Sequence, residues 1–273
     1  MMKSASRYFL SSIVFALAVS TSALAYSSRG YESMSGSSSA GVGVPVSGSI
    51  AMPGSTTATY TNPAGLVGSP GARLSLQGGS DKPMDDPTYR ALVLAGNGTF
   101  GASAGVKYHM YDGSRDDEGY AVYGLAVNVA PLDFTMGVAG HTGIKSAQGS
   151  DFNAGILFRP TSMVAVGATA MGIKDQVDSY GVGVGLNLVS GVDLVADSAF
   201  DGKFKNGEFK PGLRLANDFA GLSVSYGTGS TAQFAKDFSA AAYLKVGANS
   251  EFEFEYNHGG DLPKYFASLL FGF

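Results

Sequence analysis

From Gly71 to the C-terminus the chain alternates. For about nine to twelve residues at a time, apolar side chains take every second position, with small or polar residues between them. Successive side chains of a β-strand point to opposite faces, so each such segment acquires one apolar face and one small or polar face. The stretch Glu251-Phe252-Glu253-Phe254-Glu255-Tyr256 is the sharpest example: three carboxylates share one face and three rings the other. On a helix the same six residues would be scattered around the axis.

Fourteen segments carry this pattern: 71–79, 88–96, 99–111, 118–130, 133–144, 150–159, 162–173, 178–189, 191–201, 206–217, 220–228, 236–247, 250–258 and 263–273. In the fourth, Ala121, Tyr123, Leu125, Val127 and Val129 form one face. In the eighth, Tyr180, Val182, Val184, Leu186 and Leu188 oppose Gly181, Gly183, Gly185 and Asn187. In the twelfth, Phe238, Ala240, Ala242, Leu244 and Val246 oppose Ser239, Ala241, Tyr243 and Lys245.

A half-buried soluble sandwich would accept any one of these strands, but the connections argue for a membrane. Those after even-numbered segments are brief and centre on Gly96-Asn97-Gly98, Pro131-Leu132, Pro160-Thr161, Ser190-Gly191, Phe219-Ala220 and Ala248-Asn249. Those after odd-numbered segments are longer and more charged: SDKPMDDP, DGSRDDE, KSAQGS, KDQVDS, DGKFKN, GSTAQFAKD and NHGGDLP. Outer-membrane barrels alternate short periplasmic turns with longer outer loops, and their strands need roughly 9–11 residues. The expected fold is all-β, a transmembrane antiparallel up-and-down β-barrel over residues 71–273 with about 14 strands, or twelve if 71–96 is not two strands. Its apolar faces meet hydrocarbon and its other faces line a lumen.

Composition agrees. Glycine supplies 39 of 273 residues, about twice average usage, and there is no cysteine. At the N-terminus, Lys3 and Arg7 precede an apolar stretch from Phe9 to Val19 and the small-residue site Ala23-Leu24-Ala25, so residues 1–25 read as a secretory signal peptide. Its removal leaves 16 basic against 22 acidic residues, a balance of the wrong sign for a nucleic-acid partner. No later stretch approaches 18 consecutive apolar residues, so no helical span is expected.

Residues 26–70 are rich in Ser, Gly and Pro, almost uncharged and without sustained period. Near their end stands Asn62-Pro63-Ala64-Gly65-Leu66. Pro63 fixes φ and cannot donate to a ladder, Asn62 is pushed toward extended geometry, and its amide can bond backbone within a lumen; an ordinary Asn-Pro turn leading into the first strand is the plainer reading. NPAGL after a Gly/Ser-rich lead and before a barrel resembles the FadL/TodX family of outer-membrane transporters for long-chain fatty acids and aromatic hydrocarbons. In that family an Asn-Pro-Ala motif lies in an N-terminal segment folded into a fourteen-stranded barrel as a hatch. The resemblance implies that residues 26–70 are hatch-like and that the protein is a passive, hatch-gated channel for a small hydrophobic ligand. The outer loops here are short and polar, unlike the long apolar loops of the family's fatty-acid transporters, which points away from a dedicated long-chain collector. A narrow general-diffusion porin and a purely structural barrel are the alternatives.

The chain ends YFASLLFGF, with Tyr265, Ala267, Leu269, Phe271 and Phe273 on one face. This resembles the C-terminal strand signal of Gram-negative outer-membrane barrels. It implies recognition by the barrel-assembly machinery and surroundings of outer-membrane lipid and lipopolysaccharide, and the signal peptide implies export through the general secretory pathway.

Alternation directs Arg73, Arg90, Lys107, Arg159, Lys210, Arg214, Lys245 and Lys264 inward, together with Asp151, Asp193, Asp197, Glu208, Glu251, Glu253 and Glu255. Bases and acids nearly balance, so strong ion selectivity is not expected. Lys245 is expected near Glu251, and Glu208 with Lys210 near Asp193 and Asp197. Of the three histidines, His109 and His141 fall on inward faces and His258 in an outer loop. No zinc-type spacing and no Ser/His pairing can be assigned, so neither enzymatic activity nor a metal or other cofactor is expected.

Overall fold

The structure is a computed structural model that describes residues 49–54, 57–68, 71–82, 85–110, 117–129, 133–144, 149–174, 176–217, 219–229, 236–246, 250–259 and 262–273. Residues 1–48, on which the expected signal peptide and the first part of the expected hatch-like segment fall, lie outside the described residues.

Fourteen antiparallel strands close into one barrel. They are β1 (Gly71–Lys82), β2 (Asp85–Gly96), β3 (Phe100–His109), β4 (Glu118–Val129), β5 (Phe134–Gly143), β6 (Ser150–Thr161), β7 (Val164–Met171), β8 (Ser179–Val189), β9 (Val192–Asp201), β10 (Gly207–Ala216), β11 (Ala220–Thr228), β12 (Lys236–Lys245), β13 (Ser250–Gly259) and β14 (Leu262–Gly272). Each strand pairs with its sequence neighbours, and β1 pairs with β14 from Arg73↔Gly272 to Ser80↔Tyr265, so no sheet edge remains. The stretch 71–96 forms two full strands, which removes the twelve-strand alternative.

Two outer connections are shorter than the sequence suggests. The β1–β2 ladder continues to Lys82↔Asp85 and the β13–β14 ladder to Gly259↔Leu262, so much of SDKPMDDP and NHGGDLP is strand. Tight turns at the opposite end use Gly98 and Gly191, both at φ 82°, where a β-carbon is disfavoured. At Gly191 such a carbon would also run into the Ala216 carbonyl oxygen.

The faces separate as the alternation predicts. Phe252 and Phe254 are 40% and 44% exposed on the outside, whereas Glu253 and Glu255 are 2% and 0% exposed within. Leu125, Val138, Ile156, Val182, Leu222 and Leu244 continue the outer apolar surface around the barrel. Water would penalise so continuous a belt, and a hydrocarbon layer would not. Phe273 closes the ladder by donating its N–H to Ala72 O at 3.0 Å, and Tyr265 packs on Tyr256 and Phe254 in the outward aromatic set.

One part of the inner face departs from expectation. Leu92, Leu94, Val122 and Leu157 point inward and are buried, because residues 49–54 and 57–68 lie inside the barrel and cover them.

Candidate functional site: the lumen and its internal segment

The internal segment turns back on itself before it meets the wall. Ala58 N–H bonds Gly54 O at 2.7 Å, Thr61 N–H bonds Thr57 O at 2.9 Å, and a 3-10 turn runs from Pro63 to Gly68. Pro63 takes the first helical position, where its missing N–H has no partner to lose and its fixed φ suits the turn, so the extended geometry expected around the Asn-Pro pair stops at Asn62. The turn lies against β2 to β6.

Apolar contacts hold it there. Ala58, Leu66 and Val67 pack with Leu94 and Ala126; Tyr60 packs with Leu92 and Val122; Ala64 packs with Leu157 and Ala165, flanked by Met52. Arg90 lies 5.0 Å from the centre of the Tyr60 ring, a cation–π contact. Where the wall approaches most closely it is glycine. A β-carbon on Gly101 would overlap the Leu66 backbone, one on Gly137 the Pro63 and Ala64 backbone, one on Gly155 the Asn62 amide, and one on Gly167 the Ile50 carbonyl. Four strands thus bring their backbones against the segment without intervening side chains.

Two polar anchors fix its position. The Asn62 side chain is fully buried and donates to Ile50 O at 2.8 Å and to Ile156 O of β6 at 3.0 Å, while its Oδ1 accepts the Ala64 N–H at 3.2 Å. On the far wall, Asp197 of β9 accepts the Ile50 N–H at 3.1 Å and the Ser49 hydroxyl at 3.5 Å. Asn62→Ala deletes three bonds and leaves two buried carbonyls short of a donor, a loss of about 3 kcal/mol. We expect protease cleavage within residues 49–68 of the folded barrel to accelerate roughly a hundredfold. An unchanged digestion rate would mean that the amide does not hold the segment.

The other half of the lumen is polar. Arg214 forms an ion pair with Asp193 at 2.8 Å, to which Asn187 also donates at 2.6 Å. Lys210 stands opposite Asp197 in the β9–β10 register and donates to Ser239 at 3.3 Å. Glu208 is buried nearby, in register with Ala199. Glu251, Glu253 and Glu255 face inward from β13, with Ser268 donating to Glu253 at 3.4 Å. One register row crosses the lumen wall through Lys107, Arg90, Gln77, Ser268 and Glu253, so bases on β2 and β3 reach the acidic strand through neutral hydroxyl and amide groups.

The remaining charged residues lie toward the ends. Arg73 is half-buried near the closed end of β1, Arg159 donates its backbone N–H to Asp133 O at 3.1 Å, and Asp151 caps the Phe152 and Lys174 amides. Lys245 is exposed and in register with Glu251. The side chains of Lys264 and His258 lie outside the described residues. His109 meets the Thr88 hydroxyl at 2.5 Å, and His141 sits edge-on to Tyr120. No cluster of potential metal ligands occurs among the described residues.

Outside the same glycine-lined wall runs an apolar trough of ≈ 1100 Å3, lined by Ala102, Leu125, Val138, Ala154 and Ala170 and ending at Tyr180. These residues form a single register row across β3 to β8. The alanines on the outward face leave the trough shallowly floored. Sequence reading missed the glycine collar, the Asp197 anchor and the trough. The uninterrupted apolar run Ala91-Leu92-Val93-Leu94-Ala95 was the available signal that one strand is covered on both faces.

A closed barrel with an apolar exterior and a charged, partly filled lumen defines the outer-membrane β-barrel class. No family model matches the chain, and no curated protein matches it. Among solved structures, the CymD monoaromatic hydrocarbon channel aligns with a TM-score of 0.59 at 10% identity, over 85% of this chain and 98% of that one. Acinetobacter baumannii outer membrane protein Omp33 aligns with a TM-score of 0.54 at 8% identity, over 74% of this chain and 98% of that one. At such identities the likeness is one of fold.

Proposed function

We propose that this protein is a passive outer-membrane channel of Gram-negative bacteria for small hydrophobic molecules, of the fatty-acid or aromatic-hydrocarbon class, gated by its internal segment. The observation that carries this reading is the apolar seam between that segment and β2 to β7. If the segment shifts, Leu92, Leu94, Val122 and Leu157 lose their cover. Each large side chain left to water costs about 1.5–3 kcal/mol, and an apolar ligand removes that cost by taking the segment's place. A polar solute offers no such compensation.

A general-diffusion porin is the second reading, and the polar half of the lumen favours it: Asp193, Arg214, Lys210, Ser239 and Glu253 would suit small hydrophilic solutes. These groups are 8% exposed or less, which speaks for an occluded rather than a water-filled path.

Planar-bilayer conductance and vesicle uptake separate the two. The proposed channel gives an inserted barrel without stable ohmic openings, together with entry of toluene or a short fatty acid above protein-free vesicles. Stable ohmic openings with sugar-driven vesicle swelling would replace it with the porin reading.

A further inference from the structure

The outer rim above β8 to β10 carries an arrangement that passage through the lumen does not use. The Asp201 carboxylate clamps the β9–β10 connection, accepting N–H groups of Lys203 at 3.1 Å, Lys205 at 2.8 Å and Asn206 at 3.1 Å, and the Asn206 side-chain amide at 2.7 Å. Within that clamp Phe204 is held at φ 55°, a left-handed conformation that a bulky residue adopts only under constraint. Its ring is 64% exposed yet stacks on Tyr180, with centroids 4.8 Å apart and planes 12° apart, and approaches Phe200 at 5.9 Å. Tyr180 and Phe200 alternate with the buried inner residues of β8 and β9, so they face outward. The loop therefore bends a ring down over the rim onto the membrane-facing wall, with an exposed lysine on either side of it in sequence.

Tyr180 joins this feature to a second one, because it also closes the upper end of the exterior trough. Charge, an aromatic ring and an apolar furrow are thereby stacked in the order in which a phospholipid or glycolipid presents phosphate, glycerol or sugar, and acyl chain. Asp201 stays ionised, its two oxygens engaged by four N–H donors of the loop, while burial together with Asp151 holds the Asp178 carboxyl above the usual carboxylate range.

We propose that Lys203, Phe204 and Lys205, with the trough below Tyr180, form a seat for a phosphate-bearing lipid of the outer leaflet. The two ammonium groups pair with phosphate, Phe204 packs on the first methylenes, and one acyl chain lies along Ala170 and Ala154. The inference rests on the outer-membrane placement and not on which solute crosses the lumen.

The test is native mass spectrometry of the folded, delipidated protein in mild detergent after titration with hexa-acylated lipid A. We expect the wild type to retain one lipid, and Lys203→Gln/Lys205→Gln to retain it about tenfold less tightly. Phe204→Ser, which spares both charges, and Ala154→Phe, which fills the trough, should each weaken retention as well. Heat-modifiable migration confirms that every variant is folded, and lipid A stripped of its phosphates should bind no better to wild type than to the lysine variant. Equal retention by wild type and variants, or undiminished binding of dephosphorylated lipid A, overturns the proposal. Retention that survives alongside a failed uptake assay would sink the transport reading alone.

Discussion

Gly155→Leu is expected to convert a quiet barrel into a conducting one. The β-carbon alone would overlap the Asn62 amide and press on Pro63, and the leucine adds three more carbons in the same direction. No rotamer resolves an overlap that begins at the β-carbon, so either the wall or the segment must give way. The wall is fixed by ladders from Gly155 to Gly137 and to Thr169, and its outward neighbours Ala154 and Ile156 are unchanged. The segment is held by Asn62, Asp197 and a few apolar contacts, so it is the part that leaves. The variant should assemble with wild-type heat-modifiability, lose protease protection over residues 49–68, and give stable ohmic openings in a planar bilayer. Gly68→Ala serves as the control, because nothing lies within 4 Å of its added carbon. Silent, protease-resistant Gly155→Leu would show that the segment does not govern the lumen.

The second large effect concerns assembly. Phe254 lies in the middle of β13, outward and 44% exposed, in register with Ala242 and Ala267. Phe254→Arg places a cation against hydrocarbon, which costs about 2–4 kcal/mol near the midplane of a β-barrel. Glu253→Gln, one residue away on the inner face, keeps the shape of the side chain and its contact with Ser268. Refolding yield into lipid vesicles should fall severalfold for the first variant and change little for the second. Equal yields would contradict the assignment of faces.

Together these expectations separate the roles of the two surfaces. The outer face decides whether the chain enters a membrane, and the inner face decides what the assembled barrel does there. The exterior trough and the glycine collar are the two sides of one stretch of wall: glycine inward lets the segment approach, and alanine outward leaves a furrow.

The strand number, the order of strands and the direction of every described face were legible in the sequence, because alternation is a local property and an up-and-down barrel pairs only sequence neighbours. Strand ends were less legible. β1 and β13 extend through Lys82 and Gly259 into stretches that read as loops, since beyond the hydrocarbon a strand gains nothing from apolar residues and its polarity no longer marks its end. The same alternation puts Arg214 and Asp193 on one face, and the pair they form is a direct product of register.

The site itself belonged to tertiary structure. Asn62 reaches Ile156 across 94 positions of sequence, and Asp197 reaches Ile50 across 147. Residues 49–54 and 57–68 carry no period because they belong to no sheet, and much of their contact runs from backbone to glycine, which leaves no mark in a pattern of side chains. Alternation by itself determined a barrel with an apolar outside; only its closure around this segment decided that part of the inside is apolar as well, since burial there depends on what the lumen holds.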